Sequence, residues 1–283
     1  MPSDPSIANA IVYIGEGLAH VPHQVPLNSP GFTLAEAAST PAIDKLCELG
    51  VTGNIAFQRS KAASGANVFA QLLGIGIDNE GTQAVDLLHQ RFGNMRIQVV
   101  TNDPHVNAFL NNLAIPVRNY PSAQELAEIC LNFANANTDP KSDIMLVHMK
   151  PQETSVDESI KLLQALDTAV ATVIDAPKTF KAVVMTGHQG SSTTIESASL
   201  APSLQSLRPQ QSFQIKEGQI CEVDDSLSLA CAAYYHPTAT RRDTVSRFSE
   251  NEIGTTGGNG VILAWHFMPE IAFKLGYVPK YGA

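Results

Sequence analysis

Short apolar runs at residues 11–14, 52–57, 97–101, 144–148 and 182–186 recur along the chain, separated by segments whose apolar residues fall at helical spacing. The runs are strand-sized, and all but 52–57, which opens Thr-Gly-Asn, are predominantly apolar. A strand that reads as a continuous apolar run is covered on both faces. Between the runs, Val68, Phe69, Leu72 and Leu73, then Val106, Phe109, Leu110 and Leu113, then Ile160, Leu163, Leu166, Val170 and Val173, each mark one face of a helix. The alternation predicts an α/β fold with a mostly parallel central sheet and helices on both sides.

Local signals set the boundaries. Thr40-Pro41 reads as an N-cap with proline in the first turn, and Gly50 closes the helix carrying Ile43, Leu46 and Cys47. Ser155-x-x-Glu158 is a capping box opening a long helix. Residues 126–133 read as a helix and 227–235 as a further strand. A Gly-rich turn precedes a strand at 261–263 and an apolar tail from Trp265 to Ile271. The Ser- and Thr-rich stretch 191–203 reads as a loop. Leu46, Leu72, Leu163 and Val184 are expected in one core.

With 283 residues, 44% of them hydrophobic and 16% charged, one ordinary globular domain is the natural reading. No apolar run approaches the roughly 20 residues that a membrane-crossing helix needs. The net charge of −9 is dispersed and the one basic cluster is Arg241-Arg242, which argues against nucleic-acid binding. Cys47, Cys130, Cys221 and Cys231 fit no zinc spacing and read as buried thiols. Together with an N-terminus lacking a signal-like pattern, they suggest a cytoplasmic location.

Longer stretches carry a resemblance. Residues 32–46, Phe-Thr-Leu-Ala-Glu-Ala-Ala-Ser-Thr-Pro-Ala-Ile-Asp-Lys-Leu, are similar to the "TPLEAAxTPNxDxLAxxG" segment of the archaeal-type cofactor-independent phosphoglycerate mutases of the alkaline phosphatase superfamily. Arg247-Phe248-Ser249-Glu250, Gly257-Gly258-Asn259-Gly260 and the ending from Met268-Pro269 to Gly282-Ala283 resemble its closing pattern, and the intervening strands fall in the family's order. The resemblance implies an alkaline-phosphatase-like core spanning residues 1–283 as a single domain. It also implies that the family's inserted second domain is absent between about residues 76 and 95.

The family holds two divalent metals and a nucleophilic serine at its strand ends, because phosphoryl transfer needs charge neutralisation and an aligned attacking oxygen. Here the segments matching its motifs depart from them. Glu16 replaces the first Asp, and His20 follows it; Gly65 stands at the serine position, beside Ser64 and Asn67; Gln152 replaces the Asp that follows the strand ending in His148; and His188-Gln189 replaces the last Asp-His pair. Glu16, His20, Ser64, Asn67, His148, Gln152, His188 and Gln189 are therefore expected to form a remnant pocket at one sheet edge, His148 being a hydrogen-bonded core residue.

So many replaced ligands leave too few anionic oxygens for a two-metal site. The resulting expectation is a non-catalytic scaffold or binding subunit without a cofactor, acting with a protein partner or as a homo-oligomer. The alternatives are a phosphoesterase with one divalent metal, manganese, magnesium or zinc, on Glu16, His20 and His188, and a sensor of a small phosphorylated metabolite. His20-x-x-His23 by itself gives no metal geometry, and the turn Thr255–Gly260 lacks the lysine of a phosphate-binding loop.

Overall fold

A computed structural model of the chain describes residues 7–19, 34–57, 66–75, 82–135, 142–152, 155–187, 215–216, 219–220 and 230–279. The first half contains β1 (Asn9–Gly15), α1 (Leu34–Ala38), α2 (Pro41–Leu49), β2 (Val51–Ala56), α3 (Ala66–Leu73), α4 (Thr82–Phe92), β3 (Ile97–Thr101), α5 (Pro104–Asn112), β4 (Val117–Arg118) and α6 (Ala123–Asn135). The second half contains β5 (Ile144–Met149), α7 (Val156–Val173), β6 (Thr179–Met185), β7 (Ile215–Lys216), β8 (Gln219–Ile220), β9 (Ala230–Tyr235), α8 (Glu250–Thr256), β10 (Val261–Leu263) and α9 (Phe267–Lys274). A 3-10 turn, Ala264–His266, joins β10 to α9. The predicted strand 227–235 is observed from residue 230, its first residues lying outside the described ones; so does the loop 191–203.

Eight strands form one sheet in the order β10-β2-β9-β6-β1-β5-β3-β4, while β7 and β8 pair separately. All neighbours run parallel except β9, which is antiparallel to both β2 and β6. The two edge strands are three and two residues long, and edges this short offer little template for pairing with another chain.

The uninterrupted apolar runs have the reason anticipated: side chains alternate between two buried faces. Ala10, Val12 and Ile14 of β1 join Leu146 and Val184 on one face, under α3, α4, α5 and α9. Ile11 and Tyr13 join Val147 and Val183 on the other, under α2, α6, α7 and α8. The expectation of one core is thereby corrected. Leu46 and Leu163 belong to the second face and Leu72 and Val184 to the first, because a sheet covered on both sides divides its core in two.

One local reading also changes. Thr40 precedes α2 but makes no side-chain cap hydrogen bond. The cap comes instead from Asp167 of α7, whose Oδ1 accepts from Ala42 N and Ile43 N, each at 2.9 Å. Ser155 caps α7, accepting from Glu158 N as the capping box predicts, and the Glu158 carboxylate also accepts from Gln152 N. The helix α4, for which no reading was made from the sequence, lies in the interval where the resembling family inserts its second domain. Its buried Ala84, Leu88 and Phe92, four residues apart, were the available signal.

Candidate functional site at the carboxyl edge of the sheet

The parallel register decides which polar residues meet. Thr101, the last residue of β3, lies opposite His148 of β5, and Gly15 at the end of β1 lies opposite Met149. One step further, Glu16 falls beside Lys150. All four side chains lie on the α3 side of the sheet, since they continue the parity of Val99, Leu146 and Ile14.

The turn after β1 holds Glu16 in place. Glu16 N donates to Met149 O at 2.9 Å, Gly17 N to Thr186 Oγ1 at 3.0 Å and Ala19 N to Thr186 O at 3.0 Å, fastening the turn to the ends of β5 and β6. Gly17 has φ +75, a conformation that glycine reaches without steric cost. Leu18 then drops fully into the second core.

The side chains form a continuous chain of contacts. Lys150 Nζ donates to Glu16 Oε1 at 2.6 Å, Glu16 Oε2 lies 3.2 Å from His148 Nε2, and His148 Nδ1 lies 3.0 Å from Thr101 Oγ1. Asp103 N donates to Thr101 Oγ1 at 3.1 Å, and the Asp103 carboxylate caps α5 through His105 N and Val106 N. An imidazole carrying its proton on Nε2 satisfies every contact: the threonine hydroxyl donates to Nδ1 while Nε2 donates to the carboxylate. Phe69 of α3 packs edge-on against the ring, with centroids 5.2 Å apart.

A hydroxyl, an imidazole and a carboxylate in sequence have the order of a nucleophile-activating relay. The hydroxyl cannot serve that role, because Thr101 is fully buried and no substrate could reach it. The carboxylate is also committed: Glu16 is 13% exposed, and both of its oxygens face positive or donor nitrogens. A divalent cation would have to displace the Lys150 ammonium at 2.6 Å before gaining this ligand. The described residues therefore do not fit the paired-metal centre that the resemblance implies. Among them, no group of three His, Cys, Asp or Glu side chains stands close enough to hold a metal.

Of the sequence-derived candidates, the structure joins Glu16 to His148, and His148 is the hydrogen-bonded core residue expected. Gln152 is exposed, its backbone N–H bonded to Glu158. Asn67 belongs to α3. His20, Ser64, His188 and Gln189 lie outside the described residues, as does His23. Sequence reading missed Lys150, Thr101 and Asp103. The parity of Lys150 with His148 was visible, but its partner depends on the register between β1 and β5.

The Gly-rich turn near the end of the chain clamps β2. Asn259 N donates to Thr52 O, Asn54 N to Gly260 O, and Gly258 N to Asp243 Oδ2, so these N–H groups are spent on protein acceptors and form no phosphate cradle. Asp243 Oδ2 also accepts from Thr52 N and Thr52 Oγ1, tying the turn to the strand.

Known structures share this arrangement of elements. The PH0037 protein of Pyrococcus horikoshii superposes with a TM-score of 0.65 at 14% identity, over 98% of this chain and 99% of its own. The cofactor-independent phosphoglycerate mutase of Thermoplasma acidophilum superposes with a TM-score of 0.55 at 11% identity, over 94% of this chain and 99% of its own. The core is alkaline-phosphatase-like. At these identities the likeness establishes the fold, and chemistry must be argued from the site. Neither a protein-family model nor a curated protein matches the sequence.

Proposed function

We propose that the protein is a non-catalytic descendant of the alkaline phosphatase superfamily, keeping the sheet as a scaffold through which it binds a protein partner or another copy of itself. The observation carrying this reading is the Glu16–Lys150 pair. At the strand end where the resembling enzymes carry a metal-ligating Asp, this chain has a carboxylate neutralised by its own ammonium and steadied by His148. An internal cation replaces the need for an external one.

Two features support the wider reading. The interval 76–95, where the resembling family inserts its second domain, carries the helix α4, which packs Leu88 and Phe92 into the core. Cys47 and Cys130 are buried and outside any disulfide, and burial pushes the Cys130 thiol up to about 12, as suits inert core residues in a reducing, cytoplasmic setting. No described helix is long and apolar enough to cross a membrane.

The test is metal content and turnover of protein purified without chelator. The scaffold reading expects substoichiometric zinc and manganese and no hydrolysis of p-nitrophenyl phosphate above the buffer rate. Stoichiometric metal with turnover that disappears in Glu16→Gln would replace it with the phosphoesterase reading.

A further inference from the structure

A second feature lies at the opposite end of the sheet and is independent of that reading. A cavity of about 580 Å³ opens where the start of β2 meets the end of β9, roofed by β10, the loop after β9 and α9. Its size falls in the range of pockets that take small molecules, and its walls are largely apolar, including Val51, Tyr234 and Ile262. The Tyr234 ring is anchored between Phe180 and Phe267, at centroid distances of 6.5 and 5.8 Å, so this wall is fixed. Its hydroxyl has no hydrogen-bond partner among the described residues.

The charges at the cavity are unequal. Lys274 donates to Ala239 O at 3.1 Å and lies 3.4 Å from the Glu270 carboxylate, so these two side chains offset each other. Arg241, exposed at the same cavity, forms no ion pair with a described residue. One cation is left over at the mouth of an apolar hole in a chain whose net charge is −9.

We infer that this cavity is a binding site for a small, mainly apolar molecule bearing one anionic group. The apolar body lies against Val51, Tyr234 and Ile262, and the anion faces Arg241. A guanidinium suits a planar carboxylate or a sulfonate through paired N–H donors. The Tyr234 hydroxyl supplies a further donor beside the apolar wall.

The experiment titrates the full chain with 8-anilinonaphthalene-1-sulfonate and, separately, with uncharged N-phenyl-1-naphthylamine, following probe fluorescence. Both should saturate at one site per chain, the sulfonate more tightly. Ala239→Trp, which fills the cavity from its loop, should abolish both signals while the melting temperature stays near that of the wild type. Arg241→Glu is an exposed change that leaves folding alone. It should weaken the sulfonate about fivefold or more and the neutral probe by less than about twofold, in keeping with the strength of exposed charge pairs. Failure of both probes to saturate, undiminished binding to a folded Ala239→Trp protein, or equal effects of Arg241→Glu on the two probes would overturn the inference. Metal content and phosphatase turnover play no part in this readout, so its failure is distinct from failure of the scaffold reading.

Discussion

Removing the Asp167 carboxylate tests whether α2 is capped from another helix. Asp167 Oδ1 accepts from both Ala42 N and Ile43 N, and Ile43 is fully buried. Truncation in Asp167→Ala leaves two helix N-terminal donors without an acceptor. A buried unmet donor costs about 1–3 kcal/mol and a lost cap about 0.5–2 kcal/mol. Because Ala42 lies nearer the surface at 9% exposure, water can meet part of the loss there. A total of about 2–4 kcal/mol is expected for these two groups.

Asp167→Asn is the control, since it keeps an acceptor oxygen. The Asp167 carboxyl is held above the usual carboxylate range, chiefly by burial, with the two N–H donors opposing and the Asp44 charge adding to the rise. A raised folded-state pKa means that its favourable contribution is complete below the unfolded carboxylate value of about 3.9 and is lost as pH rises through the folded value. Asp167→Asn should therefore match or exceed wild-type stability at pH 7, and its advantage should shrink on acidification. The assay is urea unfolding followed by circular dichroism, with the midpoint falling for Asp167→Ala at an unchanged m-value. Thr40→Val, which removes a hydroxyl that caps nothing, should cost far less. The argument fails if Asp167→Ala stays within about 0.5 kcal/mol of wild type, the range of ordinary surface changes. It fails equally if Asn proves as damaging as Ala.

Leu163→Ala empties a fully buried position between α7 and the sheet and should cost about 2–5 kcal/mol by urea unfolding. Gly74→Ala should cost more than Gly93→Ala, although both glycines have positive φ. A Cβ at Gly74 would come within 2.5 Å of the Arg91 guanidinium carbon, whereas at Gly93 it meets nothing within 4 Å. Because Arg91 stacks 3.9 Å over Trp265, the chain's single tryptophan, Gly74→Ala should also shift the emission spectrum, and Gly93→Ala should not. Lys181 is fully buried, and burial lowers its pKa to about 8. The unfolded chain binds this proton more readily, so wild-type stability should rise between pH 8 and the unfolded lysine value of about 10.4. Guanidinium unfolding of Lys181→Met across that interval should show this rise missing.

Strands and helices were legible in the sequence because their signals are local: residues 144–148 could be little else than a doubly covered strand, and Leu163, Leu166 and Val170 little else than one helix face. What escaped depends on residues far apart in sequence. Thr40 had the right chemistry for a cap and lost the position to Asp167, which no spacing rule connects to α2. The assignment of Leu46 and Leu72 to different faces follows from where each helix crosses the sheet. At the candidate site, Glu16 and His148 could be placed because each ends a strand. Lys150 acquires its meaning from the β1–β5 register, and with it the carboxylate turns from a prospective ligand into half of an ion pair.

The sheet order carries a consequence for how the molecule is made. During synthesis β2 emerges early, yet both of its neighbours, β9 and β10, come from the far end of the sequence. Until the ribosome has delivered them, Val51 to Ala56 present unpaired backbone on both sides of an apolar ribbon, a form prone to wrong pairing. β1 also waits for β5 and β6, but its two partners arrive in the same middle stretch of chain. A nascent chain stalled before residue 230 would thus carry a half-built sheet with β2 exposed, a natural point of engagement for chaperones.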